Sequence, residues 1–280
     1  MITERKILLT QSQDHAGLIA QITHICFKHG LNIIKNDEFV DREHHQFFMR
    51  TELEGVFDDL KLLDELTQAL PSNTFHRLST AVRKRLVLMV TKEPHCLGEL
   101  LMKSQYGSLN ADIVGVVGNH NDLEELTQKF NVPFHCISHD GLSREQQEKE
   151  IQSVIAGYNP DYIVLAKYMR ILTPSFVEQY SNRIINIHHS FLPAFIGAKP
   201  YHQAYARGVK IIGATAHFVS NDLDEGPIIT QDVTRVDHRY TAEQMAQAGR
   251  HVEESVLYHA VQQVTNEKVF VYGNRTVVFD

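Results

Sequence analysis

Two stretches, Ile184-Ile-Asn-Ile-His-His-Ser-Phe-Leu-Pro193 and His217-Phe-Val-Ser-Asn-Asp-Leu-Asp-Glu-Gly-Pro227, supply an amide, an imidazole and a carboxylate. Groups of these three kinds can stabilise a developing oxyanion and move a proton. Ile184 to Ile187 reads as a buried parallel strand, and because strand side chains alternate faces, Asn186 and His188 project together at its carboxyl end. Ile185 and Ile187 then face the opposite layer. Ligands in open α/β sheets bind beyond the carboxyl ends of the strands, so both polar groups would meet whatever enters that crevice. Asp224, in a Gly-containing turn between two further apolar runs, is the third partner. Singly, each feature also has a structural reading, since turns favour Asp and Gly for backbone reasons. The combination carries the weight.

A sheet is needed to present that strand. From Arg85 onward, apolar runs at Leu86 to Thr91, Ala111 to Gly118, Val132 to Cys136 and Tyr162 to Ala166 alternate with helical stretches near 97 to 106, 121 to 130 and 144 to 157. Such alternation implies right-handed crossovers and a mostly parallel, Rossmann-like sheet with helices on both faces. Thr241 with Gln244 reads as a capping box, and Met245, Ala248, Val252, Val256, Ala260 and Val264 give the helix that follows one core-facing stripe. Val269 to Tyr272 and Thr276 to Phe279, joined through Gly273-Asn274, read as a closing hairpin.

Residues 5 to 80 have a different rhythm. Lys6 to Gln11 is a strand, Ala16 to His29 a helix ended by Gly30, Leu31 to Val40 and His45 to Leu53 strands, Leu60 to Leu70 a helix, and His76 to Thr80 a last strand. That order is a ferredoxin-like βαββαβ unit. With Ser79 to Lys84 as the linker, the expected division is 1–83 and 84–280 within an α/β fold.

Bulk properties narrow the partners. A chain of 280 residues suits two domains, and 27 basic against 34 acidic residues give a net charge of -7, which argues against nonspecific nucleic-acid or anionic-membrane binding. The start Met1-Ile-Thr-Glu-Arg-Lys6 lacks a signal-like apolar core, so the expectation is a cytoplasmic protein with a small-molecule partner. Cys26, Cys96 and Cys136 are few and widely spaced, implying reduced thiols. Neither His135-Cys136 with His139 nor the pair His188-His189 matches a closed zinc spacing, and no metal or cofactor is expected.

The phrases Lys167-Tyr-Met-Arg-Ile-Leu172, Asn186-Ile-His188 with Ser190 and Leu192-Pro193, Gly213, and His217-Phe-Val219 leading to Leu223-Asp224 and Gly226 resemble the formyltetrahydrofolate-dependent formyltransferases, glycinamide ribonucleotide formyltransferase in particular. The resemblance implies formyl chemistry on a folate with Asn186, His188 and Asp224 as the catalytic trio. It also implies that Met169, Arg170, Ile171 and Leu172, with Asn221 in the loop before Asp224, embrace the pterin. The segment Asp14-His-Ala-Gly-Leu-Ile-Ala20, before Gly30-Leu-Asn-Ile33, resembles an ACT domain. That module implies an amino-acid effector, glycine or methionine, held near Asp14, Gly17, Leu18 and Asn32, and a homo-oligomer. Backbone N–H groups freed at a helix start suit the effector's carboxylate.

The nucleophile distinguishes the members of this group. In the transferases a Gly- and Asn-bearing loop after the first strand cradles the acceptor's phosphate, whereas here it reads Thr91-Lys-Glu-Pro-His-Cys-Leu-Gly98. Pro94 has no N–H and Glu93 adds negative charge. His189 also stands where the transferases carry Pro. This combination resembles the formyltetrahydrofolate deformylases, which implies hydrolysis of 10-formyltetrahydrofolate to tetrahydrofolate and formate, balancing one-carbon pools and supplying formate for purine synthesis. The alternative is formyl transfer to an amine acceptor such as glycinamide ribonucleotide. Two residues stay open: His189 points toward the site if the chain turns after the strand and away if the strand continues, and Lys199 either meets the folate's glutamate tail or is solvated.

Overall fold

The computed structural model describes residues 3–193 and 200–280. Its contacts divide the chain into two compact units. The first contains β1 (Glu4–Gln13), α1 (Leu18–Lys28), β2 (Asn32–Asp41), β3 (Gln46–Gly55), α2 (Asp59–Ala69) and β4 (Phe75–Thr80). The strands pair antiparallel in the order β2-β3-β1-β4, the βαββαβ arrangement that the apolar runs imply. One face buries Leu8, Met49 and Leu53 beneath Leu18, Ile22 and Ile25 of α1 and Leu62 and Leu66 of α2.

The other face explains a departure from the 1–83 and 84–280 division. Residues Asn266–Phe270 and Val277–Asp280 group with the N-terminal unit. Phe48 meets the edge of the Phe270 ring at 5.6 Å, and the Arg50 guanidinium, only 3% exposed, donates to the backbone carbonyls of Asn266 and Glu267 at 3.1 and 2.9 Å. Buried Phe48 and Arg50 need an apolar cover and acceptors, and the chain's end provides both. The linker is also shorter than the Ser79 to Lys84 segment, because pairing continues to Thr80 and resumes at Lys84.

The second unit runs through β5 (Lys84–Val90), α3 (His95–Gln105), β6 (Ala111–Gly118), α4 (Glu124–Gln128), β7 (Phe134–Cys136), α5 (Arg144–Tyr158), β8 (Tyr162–Leu165), α6 (Pro174–Gln179), β9 (Ile184–His188), α7 (Pro200–Arg207), β10 (Ile211–Phe218), β11 (Ile228–Arg235) and α8 (Ala242–Thr265). Its seven strands order as β11-β10-β9-β8-β5-β6-β7. β5 to β9 are mutually parallel, but β10 is antiparallel to both β9 and β11. β9 is therefore parallel on one side only, because its connection through α7 returns the chain at the same end of the sheet. Thr241 and Gln244 do cap α8 reciprocally: Thr241 N–H donates to Gln244 Oε1 at 2.9 Å, and Gln244 N–H to Thr241 Oγ1 at 3.2 Å. β12 (Val269–Tyr272) and β13 (Arg275–Val278) form the closing hairpin, with Gly273 at φ +56° in its turn. No helix among the described residues is long and apolar enough to cross a membrane.

Candidate active site

After β5 the chain builds outward to β6 and β7, then returns to place β8 on the other side of β5. Adjacent strands whose connections diverge in this way leave a crevice at their carboxyl ends. There a cavity of about 410 Å³ is lined by residues 167–172, by Asn186 to His189, and by His217, Val219, Asn221, Leu223 and Asp224.

Asn186 and His188 leave β9 on the cavity side, as strand alternation demands. Asp224 reaches them from the turn after β10, where its φ of +58° holds a left-handed conformation. Gly226 makes that turn possible, because a Cβ there would stand 1.8 Å from the Phe218 carbonyl oxygen. Asp224 Oδ2 accepts from His188 Nδ1 at 3.2 Å, and Oδ1 lies 3.7 Å from His217 Nε2. Burial alone would raise the Asp224 pKa, but the hydrogen bond and charge of His188, with the His217 ring close by, outweigh it and hold the carboxyl well below its ordinary range. Asp224 is thus an anion that fixes the imidazole.

His217 orders the amide in turn. Its Nδ1–H donates to the Phe218 carbonyl at 2.9 Å, which leaves Nε2 to accept from Asn186 Nδ2 at 3.2 Å. The second amide hydrogen of Asn186 remains for another acceptor. A register irregularity at Ala216/His217 in the β10–β11 pairing turns His217 toward this group. With Nδ1 on Asp224, His188 Nε2 is buried, faces the cavity and has no hydrogen-bond partner. His217 belongs to a phrase carrying the family resemblance, yet its role is invisible in the sequence because its partners lie on β9 and a loop.

The cavity's other wall is the loop from Lys167 to Leu172, held at both ends. Met169 N–H donates to Thr91 Oγ1 at 2.9 Å, and Thr173 N–H donates to buried Glu148 at 2.8 Å. Met169 and Ile171 are 59% and 52% exposed, so the loop offers apolar surface at the rim, while Leu172 packs inward. Met169, Arg170, Ile171, Leu172 and Asn221 all line the cavity.

Behind this wall lies a second carboxylate. Glu253 of α8 is 1% exposed and accepts from Tyr201 Oη at 2.6 Å and from His95 Nε2 at 2.8 Å, with Lys167 Nζ at 3.1 Å. Burial would raise its pKa, but the hydrogen bond from His95, the charge of Lys167 and the hydroxyl of Tyr201 hold it down at about 2. Gly249, one helical turn earlier, makes room for the Tyr201 ring, since a Cβ would lie 2.2 Å from it. His95, Cys96 and Glu253 place potential metal-ligating atoms within 4.8 Å of one another. Lys167 already neutralises the carboxylate, and burial holds the Cys96 thiol pKa well above its ordinary value, so this donor set does not fit a metal ion.

His189 lines the cavity beside His188, so the chain does turn after β9. Lys199 lies outside the described residues. In the N-terminal unit Gly17 precedes α1 at φ +96°, while Asp14 and Asn32 are exposed. Leu18 is 2% exposed and packs in the core of this unit.

Comparison with known proteins agrees with this architecture. The chain matches the formyl transferase family over residues 84–261 and the ACT domain family over residues 6–71. It is 59% identical over 275 residues to a formyltetrahydrofolate deformylase of Escherichia coli O6:H1, with 98% of each chain covered. The crystal structure of a formyltetrahydrofolate deformylase from Pseudomonas syringae pv. tomato matches with a TM-score of 0.94 at 36% identity, covering 100% of this chain and 95% of that one. Glycinamide ribonucleotide transformylase 1 from Symbiobacterium toebii matches with a TM-score of 0.69 at 26% identity, covering 72% of this chain and 97% of that one. The transferase thus parallels part of the chain and the deformylases nearly all of it, and the chain belongs to the formyltetrahydrofolate deformylase family.

Proposed function

We infer that this chain hydrolyses 10-formyltetrahydrofolate to tetrahydrofolate and formate. The observation that carries the chemistry is His188 Nε2, buried without a partner between the Asn186 amide and the Asp224 carboxylate in one cavity. Water attacks the formyl carbon as His188 Nε2 takes one of its protons, forming an anionic tetrahedral intermediate. Asn186 donates its free amide hydrogen to that oxyanion. His188, oriented through Nδ1 by Asp224, passes a proton through Nε2 to N10 as the C–N10 bond breaks. Asp224 balances the charge of the imidazolium. Residues 169–172, with Asn221 opposite, hold the pterin against their apolar surface.

Water is favoured over a phosphorylated amine by the other end of the crevice. The start of α3 is where the fold would offer free N–H groups to a phosphate. Here Pro94 caps the helix without an N–H, and the buried Glu253 carboxylate already takes the His95 hydrogen bond. Glu93, 45% exposed, adds a further negative charge. The ACT unit serves as a sensor for glycine or methionine at the Asp14 to Leu18 turn with Asn32, in a homo-oligomer. Incubating the purified protein with 10-formyltetrahydrofolate, with and without glycinamide ribonucleotide, tests the reading. Formate should appear at the same rate in both, and formylation of the ribonucleotide without formate would overturn it.

A further inference from the structure

His189 is not needed by the mechanism above, yet it is built into the cavity wall. Its ring stacks on that of His188 with centroids 5.1 Å apart and planes 15° apart. Thr215, fully buried on β10, fixes the turn that carries it: Oγ1 donates to the Ser190 carbonyl at 2.9 Å and accepts from Leu192 N–H at 3.0 Å. The direction of the ring is therefore set by the fold on both sides. Among the described residues no side chain or backbone group hydrogen-bonds either nitrogen of the His189 ring. Burial, the charge of Lys167 and the neighbouring His188 push its pKa down to about 4.

Resting on the hydrolytic reading, we propose that His189 is the water-positioning residue, a neutral imidazole whose unprotonated nitrogen accepts a hydrogen bond from the attacking water. The Asn186 amide, His188 Nε2 and Asp224 serve the oxyanion, the proton transfer from water to N10 and the imidazole, so no group in the trio is left for the water's second hydrogen. An imidazole with so low a pKa is also a weak proton acceptor, so its function is to orient water rather than to deprotonate it. In the balanced step the water oxygen bonds to the formyl carbon and the C–N10 bond breaks. N10 receives one proton, and formic acid ionises to formate and a second proton.

The test compares His189→Leu, which keeps bulk without an acceptor, with His189→Gln, which keeps an acceptor. Formate release and tetrahydrofolate formation are measured with and without hydroxylamine, a nucleophile that takes the formyl group as formohydroxamate through its own nitrogen. His189→Leu should release formate about 100-fold more slowly than the parent, the scale on which misplacing a reacting group acts, with KM changed less than threefold. Its ratio of formohydroxamate to formate should rise at least tenfold, and His189→Gln should lie between it and the parent. A purely packing role would slow hydrolysis and aminolysis together and leave the ratio unchanged, which overturns the proposal. Formate release by His189→Leu within threefold of the parent would overturn it too. Should one variant not fold, the ratio in the other decides in the same way. A parent protein releasing no formate would instead remove the hydrolytic reading.

Discussion

Two carboxylates of the catalytic unit, buried Glu253 and half-buried Asp224, contrast in one respect. Glu253 has every oxygen satisfied, by Tyr201, His95 and Lys167, and is 1% exposed. Asp224 holds His188 with one oxygen and has His217 near the other, while His188 presents an unpartnered Nε2 to the cavity. Both acids are held below their ordinary pKa by histidine neighbours. What separates a structural cluster from a reactive one is therefore not the residue types or the direction of the shift. It is whether the unpartnered nitrogen opens on the cavity, as His188 Nε2 does, or lies away from it, as His95 Nδ1 does 3.5 Å from Glu93.

The largest effects should fall on the Asp224 side. Asp224→Asn removes the anion that orients His188, and turnover should drop by about 1000-fold or more while folate binding persists; steady-state kinetics with equilibrium binding reads both. Asn186→Ala should cost about 100 to 1000-fold in kcat with KM little changed, the signature of an interaction made in the transition state. On the other side, Glu253→Ala strands the buried Lys167 ammonium, and denaturant unfolding should show about 3–5 kcal/mol of lost stability.

Acid separates the groups more finely. Glu253 titrates at about 2 folded against 4.5 unfolded, so its stabilisation is complete above pH 4.5 and disappears as pH falls toward 2. His189 titrates at about 4 folded against 6.5 unfolded, so the unfolded chain takes up that proton first, and stability falls as pH drops from 6.5 toward 4. Urea denaturation across this range should show the upper limb flattened in His189→Gln. The smallest change should come from Ile171→Ala at the rim, which should raise KM about 3 to 10-fold with kcat unchanged, because only apolar contact is lost.

The two carboxylates also differ in how far they can be read from sequence. Asn186 and His188 share one strand, and Asp224 follows in a short loop behind a characteristic phrase, so strand alternation and resemblance suffice to group them. Glu253 stands 86 residues from Lys167 and 158 from His95, on a helix whose stripe of Met245, Val252 and Val256 reads simply as core. One local signal was available. Glu253 follows Gly249 by one helical turn, so both fall within the buried stripe of α8, and a charge there demands a partner. The first unit's strands were legible from alternation and turns. The tail segments that cover its second face were not, because nothing local to residues 266–270 and 277–280 tells which surface they cover.

The most direct test of this contrast is kcat for formate release by Asp224→Asn and Glu253→Gln, measured side by side with their urea midpoints. The first should lose turnover by about 1000-fold with little change in midpoint, and the second should lose stability with kcat within about tenfold of the parent. Near-normal formate release by Asp224→Asn, or a loss of turnover confined to Glu253→Gln at unchanged stability, would contradict it.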